Sequence, residues 1–287
     1  MTGMRTTEFI DAQGIATVYD VHDAAGEARG VVQLLHGVGE HAGRYGALID
    51  ALTGAGFHVY ADDHRGHGRT GIRQHGDPAR LGRLGAGGLR AAVAACAQLT
   101  GIIRAEHPDL PLVLIGHSWG SFLAQKLLSA NAQTYDAVVL SGSAHLTPAD
   151  LNAAPLNARW KGPDADGLEW LSRDPAVWQA FHDDPLTTET PLLRLFGPIE
   201  AARLYGRPRR DLPRDVPVLL MVGRDDPVGG PRSVHKLADA YRRRSGLTDV
   251  TTLVYPDARH ELFNETNQAE VRADLLAWLD RHIAPRA

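Results

Sequence analysis

The sequence predicts an α/β fold, a mostly parallel central sheet flanked by helices, with a helical cap inserted into it. Three observations carry this. Short continuous apolar runs alternate with longer stretches of helical periodicity, the alternation breaks between about Gly142 and Leu212, and it resumes afterwards. Apolar runs without polar alternation suit strands covered on both faces, and strand–helix–strand order suits right-handed crossovers between parallel strands.

Taken in order, Ile15 to Val21 reads as an edge strand, and Val31 to Leu35 as a buried strand ending at His36-Gly37. Arg44 to Ala55 has helical spacing and stops at Gly56, Phe57 to Ala61 is the next strand, and Leu89 to Arg104 is a long helix before Pro108. Leu112 to Ile115, Trp119 to Ser129 and Ala137 to Leu140 follow as strand, helix and strand. Beyond them, prolines, short helical patterns and three of the five tryptophans (Trp160, Trp170, Trp178) replace strand signals, so residues 142–212 are expected to form the cap. The rest of the fold, residues 1–141 and 213–287, closes with Val216 to Val222, a helix from about Arg232 to Arg244, Val250 to Val254, and a helix from about Gln268 to Ile283. No internal repeat or low-complexity tract suggests a second fold.

A chain of 287 residues with 44% apolar content can bury a sizeable core. Its net charge of −4, with both signs interspersed, gives no electrostatic reason to expect a nucleic-acid partner. The arginines at 207, 209, 210 and 242–244 are read as solvated surface. The single cysteine, Cys96, falls in an Ala-rich helical stretch, so no intramolecular disulfide can form and a buried inert thiol is expected. No apolar leader opens the chain and no segment approaches the roughly 18 apolar residues that span a bilayer. A soluble, cytoplasmic protein is the expectation.

Gly116-His117-Ser118-Trp119-Gly120 matches the G-x-S-x-G nucleophile elbow and lies between an expected strand and an expected helix, as that motif requires. A sharp turn there sets Ser118 at a helix N-terminus, where backbone N–H groups favour developing negative charge. Serine is a weak nucleophile until a base takes its proton, so an acid and then a histidine should follow downstream. Gly223-Arg224-Asp225-Asp226-Pro227-Val228 offers the acid on a loop after a strand, with Asp226 preferred to Asp225. Among 14 histidines, His260 is selected by its position after the next strand and before the last helix. The second oxyanion donor should come from a loop after an early strand, and His36-Gly37-Val38-Gly39 fits; the backbone N–H of Val38 would join that of Trp119.

Four segments together resemble the monoacylglycerol lipase and lysophospholipase group of α/β-hydrolases, related to S33-type serine aminopeptidases. They are His36 to His41 with Arg44-Tyr45, Asp63-His64-Arg65-Gly66-His67-Gly68, Gly116 to Gly120, and Arg259-His260-Glu261 with Asn264-Glu265. The resemblance covers nearly the whole chain. It implies the α/β-hydrolase fold, hydrolysis of a single-chain acyl ester through an acyl-serine, and no metal or organic cofactor. The group's triad acid is an Asp before Pro-Val, which decides for Asp226. Ser172-Arg173-Asp174-Pro175 and Asp184-Pro185-Leu186 also resemble the group's cap. Trp119 departs from the methionine or leucine often found there, and its indole favours short or differently shaped acyl groups.

Two other readings stay open. The Ser118-Trp119-Gly120-Ser121 run is similar to that of proline iminopeptidases, and Asp164, Asp166, Glu169, Asp183 and Asp184 are available to pair with a substrate ammonium. A non-catalytic ligand receptor on the same fold is the other, since fold alone does not settle function. A metal at the cluster of His64 and His67 with Asp62 and Asp63 would need a third ligand that the sequence does not point to, so no metal is expected; Glu40 and His41 are read as braces for the oxyanion loop. The apolar residues of the cap allow a transient membrane-surface contact.

Overall fold

The computed structural model describes residues 3–152 and 154–283; the ends of the expected core, at residues 1–2 and 284–287, and position 153 of the expected cap lie outside them. The strands are β1 (Met4–Ile10), β2 (Ala16–His22), β3 (Gly30–Leu35), β4 (Phe57–Asp62), β5 (Leu112–His117), β6 (Ala137–Ser141), β7 (Val218–Gly223) and β8 (Val250–Tyr255). The helices are α1 (Gly46–Gly54), α2 (Gly68–His75), α3 (Gly88–Glu106), α4 (Trp119–Ala130), α5 (Pro175–Asp183), α6 (Leu192–Ala202, kinked at Gly197-Pro198), α7 (Gly230–Arg243) and α8 (Gln268–His282).

One eight-stranded sheet runs β1-β2-β4-β3-β5-β6-β7-β8, with β2 antiparallel to both its neighbours and every other pairing parallel. Every residue of β3, β5, β6 and β7 is buried, which is why these strands read as largely apolar runs, with Gln33 of β3 donating to Cys96 O (2.9 Å). Successive side chains serve opposite faces. Val31 and Leu35 of β3, with Leu112 and Leu114 of β5, pack under α3, α4 and α7, while Val32, Leu34, Val113 and Ile115 pack under α1 and α8. Each such side chain contributes about 1.5–3 kcal/mol on burial. The mostly parallel sheet with helices on both faces is the α/β-hydrolase architecture.

Two elements differ from expectation. The strand expected at the edge, Ile15 to Val21, is covered by β1, which pairs along its whole length. Only Phe9 of the seven β1 residues is buried, so no alternation of apolar and polar residues announces it. Helix α2 was also not expected, because Gly68-Arg-Thr-Gly-Ile-Arg-Gln-His has weak helical propensity and few apolar residues. It forms because Asp63 Oδ2 accepts the Arg69 N–H (2.9 Å) at its first turn.

Between β6 and β7 the described chain carries α5 and α6 and no strand. This segment lies over the loops at the C-terminal ends of the strands. The Thr188 N–H donates to Gly39 O (2.8 Å), the Glu261 N–H to Leu171 O (2.7 Å), and His41 Nε2 to Asp184 Oδ2 (2.7 Å). No helix among the described residues is long and apolar enough to cross a membrane.

Candidate active site

Ser118 stands between the end of β5 and the start of α4 with φ 52° and ψ −124°, outside the regions a residue with a Cβ adopts freely. Such a conformation costs on the order of 1–3 kcal/mol and persists only where its surroundings hold it. The Ser118 N–H donates to Ser141 O (2.9 Å), and Ser118 O accepts from the Ser121 hydroxyl (2.6 Å) and the Ser121 N–H (2.9 Å). Gly116 and Gly120 make the turn sterically possible. A Cβ on Gly116 would sit 2.6 Å from Gly120 O, and one on Gly120 would sit 2.2 Å from Leu35 O, so strand, helix and β3 meet at a distance only glycine allows. Trp119, at the first helical position, has an N–H with no acceptor within the helix.

Asp226 follows β7 and His260 follows β8, and their side chains meet: His260 Nδ1 lies 3.0 Å from Asp226 Oδ1, both fully buried. The contact is an ion pair by distance without a directed N–H···O alignment, and Asp226 Oδ2 and His260 Nε2 have no hydrogen-bond partner among the described residues. Catalytic hydrogen bonds are often long or poorly aligned until substrate is bound. Asp226 Oδ1 also accepts the Val228 N–H (2.8 Å), which orients the carboxylate. Asp225 faces the other way and pairs with Arg159 (2.8 Å) near the surface. The His260 ring packs between Trp170 and His117, at centroid distances of 5.0 and 4.8 Å, and against Gly142, the neighbour of the residue that accepts the Ser118 N–H.

Burial works against the charged form of His260, but Asp226, with help from Glu261 and Glu40, outweighs it and raises the imidazole above its ordinary pKa. His117 goes the other way. Burial, and then the neighbouring His260, push it down to about 3, so it stays neutral.

The loop after β3 reaches Ser118, since a Cβ on Gly37 would lie 3.1 Å from the Ser118 Cβ. Glu40 Oε1 accepts from the Gly37 N–H and the Tyr45 hydroxyl (both 2.6 Å), so Glu40 braces the loop as expected. His36 Nδ1 bonds Gly37 O (2.7 Å) while its Nε2 accepts the His64 N–H (2.9 Å), which fixes its tautomer and the plane of the Gly37–Val38 peptide. The Val38 N–H, on the opposite side of that peptide, takes no partner among the described residues.

Of the residues weighed as metal ligands, Asp63 and His67 are occupied. Asp63 accepts from Ala42 N–H and from Arg69, and His67 Nδ1 donates to Arg65 O (2.9 Å). Asp62, His64 and Cys96 do come together, with ligand-type atoms within 4.8 Å of one another and all three buried. Burial opposes charge on His64, but Asp62 at 2.7 Å raises its pKa well above the ordinary value, and burial raises that of the Cys96 thiol beside it.

Sequence reasoning missed the buried ion cluster beside the site. Arg44 reaches Glu40 (2.6 Å) and makes a two-pronged contact with Glu261 (2.7 and 2.8 Å), with its guanidinium 4.7 Å from the Phe181 ring centroid. These residues sit in the quoted motifs, but no local pattern links Arg44 to a partner 217 positions away. The acids considered for an ammonium pocket are largely committed. Glu169 binds Asn157 and the N–H groups of Asp166 and Gly167, Asp166 pairs with His182, Asp183 with Gln179 and Asp184 with His41.

Residues 26–267 match the family model described as serine aminopeptidase, S33. A monoacylglycerol lipase from Mycolicibacterium smegmatis is 34% identical, with 96% of each chain covered, and a monoglyceride lipase from Mus musculus is 27% identical over 91% of this chain and 85% of its own. A solved carboxyl esterase from Bacillus coagulans, in complex with glycerol, superposes with a TM-score of 0.82 at 24% identity, covering 99% of this chain and 100% of that one, a likeness of fold. With an α/β-hydrolase sheet, a strained serine at its strand-to-helix turn and full-length similarity to these lipases, the chain belongs to the S33 family of serine hydrolases, in its monoacylglycerol-lipase-like branch.

Proposed function

We propose that the protein hydrolyses carboxylic esters, a monoacylglycerol or similar single-chain acyl ester, through Ser118, His260 and Asp226. The observation that carries this is the positive-φ Ser118 at the helix N-terminus, with a buried Asp226–His260 pair beside the same turn. His260 Nε2 takes the Ser118 proton as Oγ attacks the ester carbonyl, and the resulting oxyanion lies between the N–H groups of Val38 and Trp119. Each such donor is typically worth about 2.7–4 kcal/mol at the transition state. The imidazolium, stabilised by Asp226, returns the proton to the departing alcohol, and water cleaves the acyl-serine by the same steps.

Residues 142–212 act as the cap over this site in our reading, since their contacts to Gly39, His41 and Glu261 hold them above it. The committed acids of that segment favour an ester over an aminoacyl substrate, because few free carboxylates are left to receive an ammonium. Turnover of monoacylglycerols, p-nitrophenyl esters and a prolyl aminoacyl amide by wild type and Ser118→Ala tests the assignment. Ester turnover that falls by several orders of magnitude in a folded variant is expected. Turnover of the amide alone would move the assignment to an aminopeptidase, and ligand binding without any turnover would make the protein a receptor.

A further inference from the structure

The side chain that follows Ser118, Trp119, is one of the two largest fully buried ones, at 0% exposure. Its indole stacks on His67 (centroids 4.9 Å apart), meets His64 edge-on (5.4 Å), and meets Phe196 of α6 edge-on (5.2 Å). Phe196 and Leu195 thereby join the same core cluster as the sheet, and Leu195 is seated against Gly82. The indole Nε1–H has no partner among the described residues, so packing alone holds the ring.

The reaction geometry says which part of the substrate meets this ring. At the carbonyl carbon the oxygen turns to the Val38 and Trp119 amides, the leaving oxygen turns to His260 and Trp170, and the acyl chain takes the remaining direction. Trp119 packs against His64, His67 and Phe196, whereas the ring neighbours of His260 are His117 and Trp170, and the flank of Trp119 is therefore assigned to the acyl chain. We propose, resting on the ester-hydrolase reading, that Trp119 and Phe196 together set acyl chain length, closing the space a long chain needs and restricting the protein to esters of short unbranched acids, acetyl to butanoyl. One ring comes from the elbow and the other from the segment between β6 and β7, so chain length depends on a contact that also helps to seat that segment.

The test is kcat/KM on p-nitrophenyl acetate, butyrate, octanoate and palmitate for wild type, Trp119→Met and Phe196→Ala, with Ser118→Ala as the blank. Wild type should fall sharply from butyrate to octanoate. Each methylene that gains a buried site is worth about fourfold, so Trp119→Met should raise the octanoate-to-butyrate ratio at least about tenfold. Phe196→Ala should move that ratio the same way, and it reads the proposal independently should Trp119→Met fail to fold. A wild type that prefers octanoate or palmitate, or variants that leave the ratio unmoved, would overturn the proposal while the ester reading stood. Absence of Ser118-dependent turnover of every ester in wild type would instead remove the reading on which it rests.

Discussion

At the scale of single residues the proposed chemistry turns on how His260 ionises. The base must be neutral to accept the Ser118 proton, so kcat/KM should be lost as pH falls through the pKa of His260 in the free enzyme. Burial lowers that pKa, and Asp226 more than restores it, so the acidic limb is expected above the ordinary imidazole value of about 6.5. Replacing Asp226 with Asn keeps the burial and removes the opposing charge. The limb should then shift to lower pH and kcat should fall about ten-thousandfold, because the ring also loses the group that fixes its tautomer. A pH profile of both proteins reads this directly, and an unshifted limb would mean that Asp226 does not set the basicity of His260. The bases that do not titrate matter too. His117 and His67, both pushed down to about 3 chiefly by burial, remain neutral ring surfaces around Ser118 and Trp119 across the working range.

Among elements, the turn from β5 into α4 is the one with the least freedom. Ala in place of Gly120 would put a Cβ 2.2 Å from Leu35 O and 2.5 Å from His36 O, forcing α4 away from the end of β3. Overpacking of this kind typically costs about 1–3 kcal/mol. Gly120→Ala should therefore lower stability in urea unfolding and lower kcat more than it raises KM, since the Trp119 amide and the loop bearing Val38 separate. Near-normal kcat in a destabilised protein would count against that coupling. This element was legible in the chain because its motif and its flanking apolar runs are local. Strand β1 and helix α2 were not, the first because its side chains stay mostly exposed, the second because Asp63 and Arg69 stabilise it through contacts that its own composition does not reveal.

For the whole molecule, Arg44 is the joint. Nearly buried, it ties the loop after β3, through Glu40, to the loop after β8, through Glu261, and lies over Phe181 of α5. Its removal would leave two buried carboxylates without a counter-charge, and breaking a buried pair in this way typically costs about 3–5 kcal/mol. Arg44→Ala should show that loss in thermal and denaturant unfolding. Arg44→Lys should recover only part of it, because an ammonium does not reproduce the two-pronged contact with Glu261. Equal stability of the three proteins would show that the cluster contributes nothing to holding these loops together.

By itself the sequence determined the order of strands and helices apart from β1 and α2, the serine turn, and the two downstream loops that bear Asp226 and His260. These features are encoded by neighbours a few positions apart, through periodicity, glycines and loop position. Only the tertiary structure decided how Asp226 meets His260 while Asp225 turns to Arg159, that Cys96 is the third neighbour of Asp62 and His64, that Arg44 finds Glu261, and that Phe196 meets Trp119. Each of those is a pairing of groups from separate elements, set by how the elements pack, and packing is a property of the assembled core that no window of sequence contains.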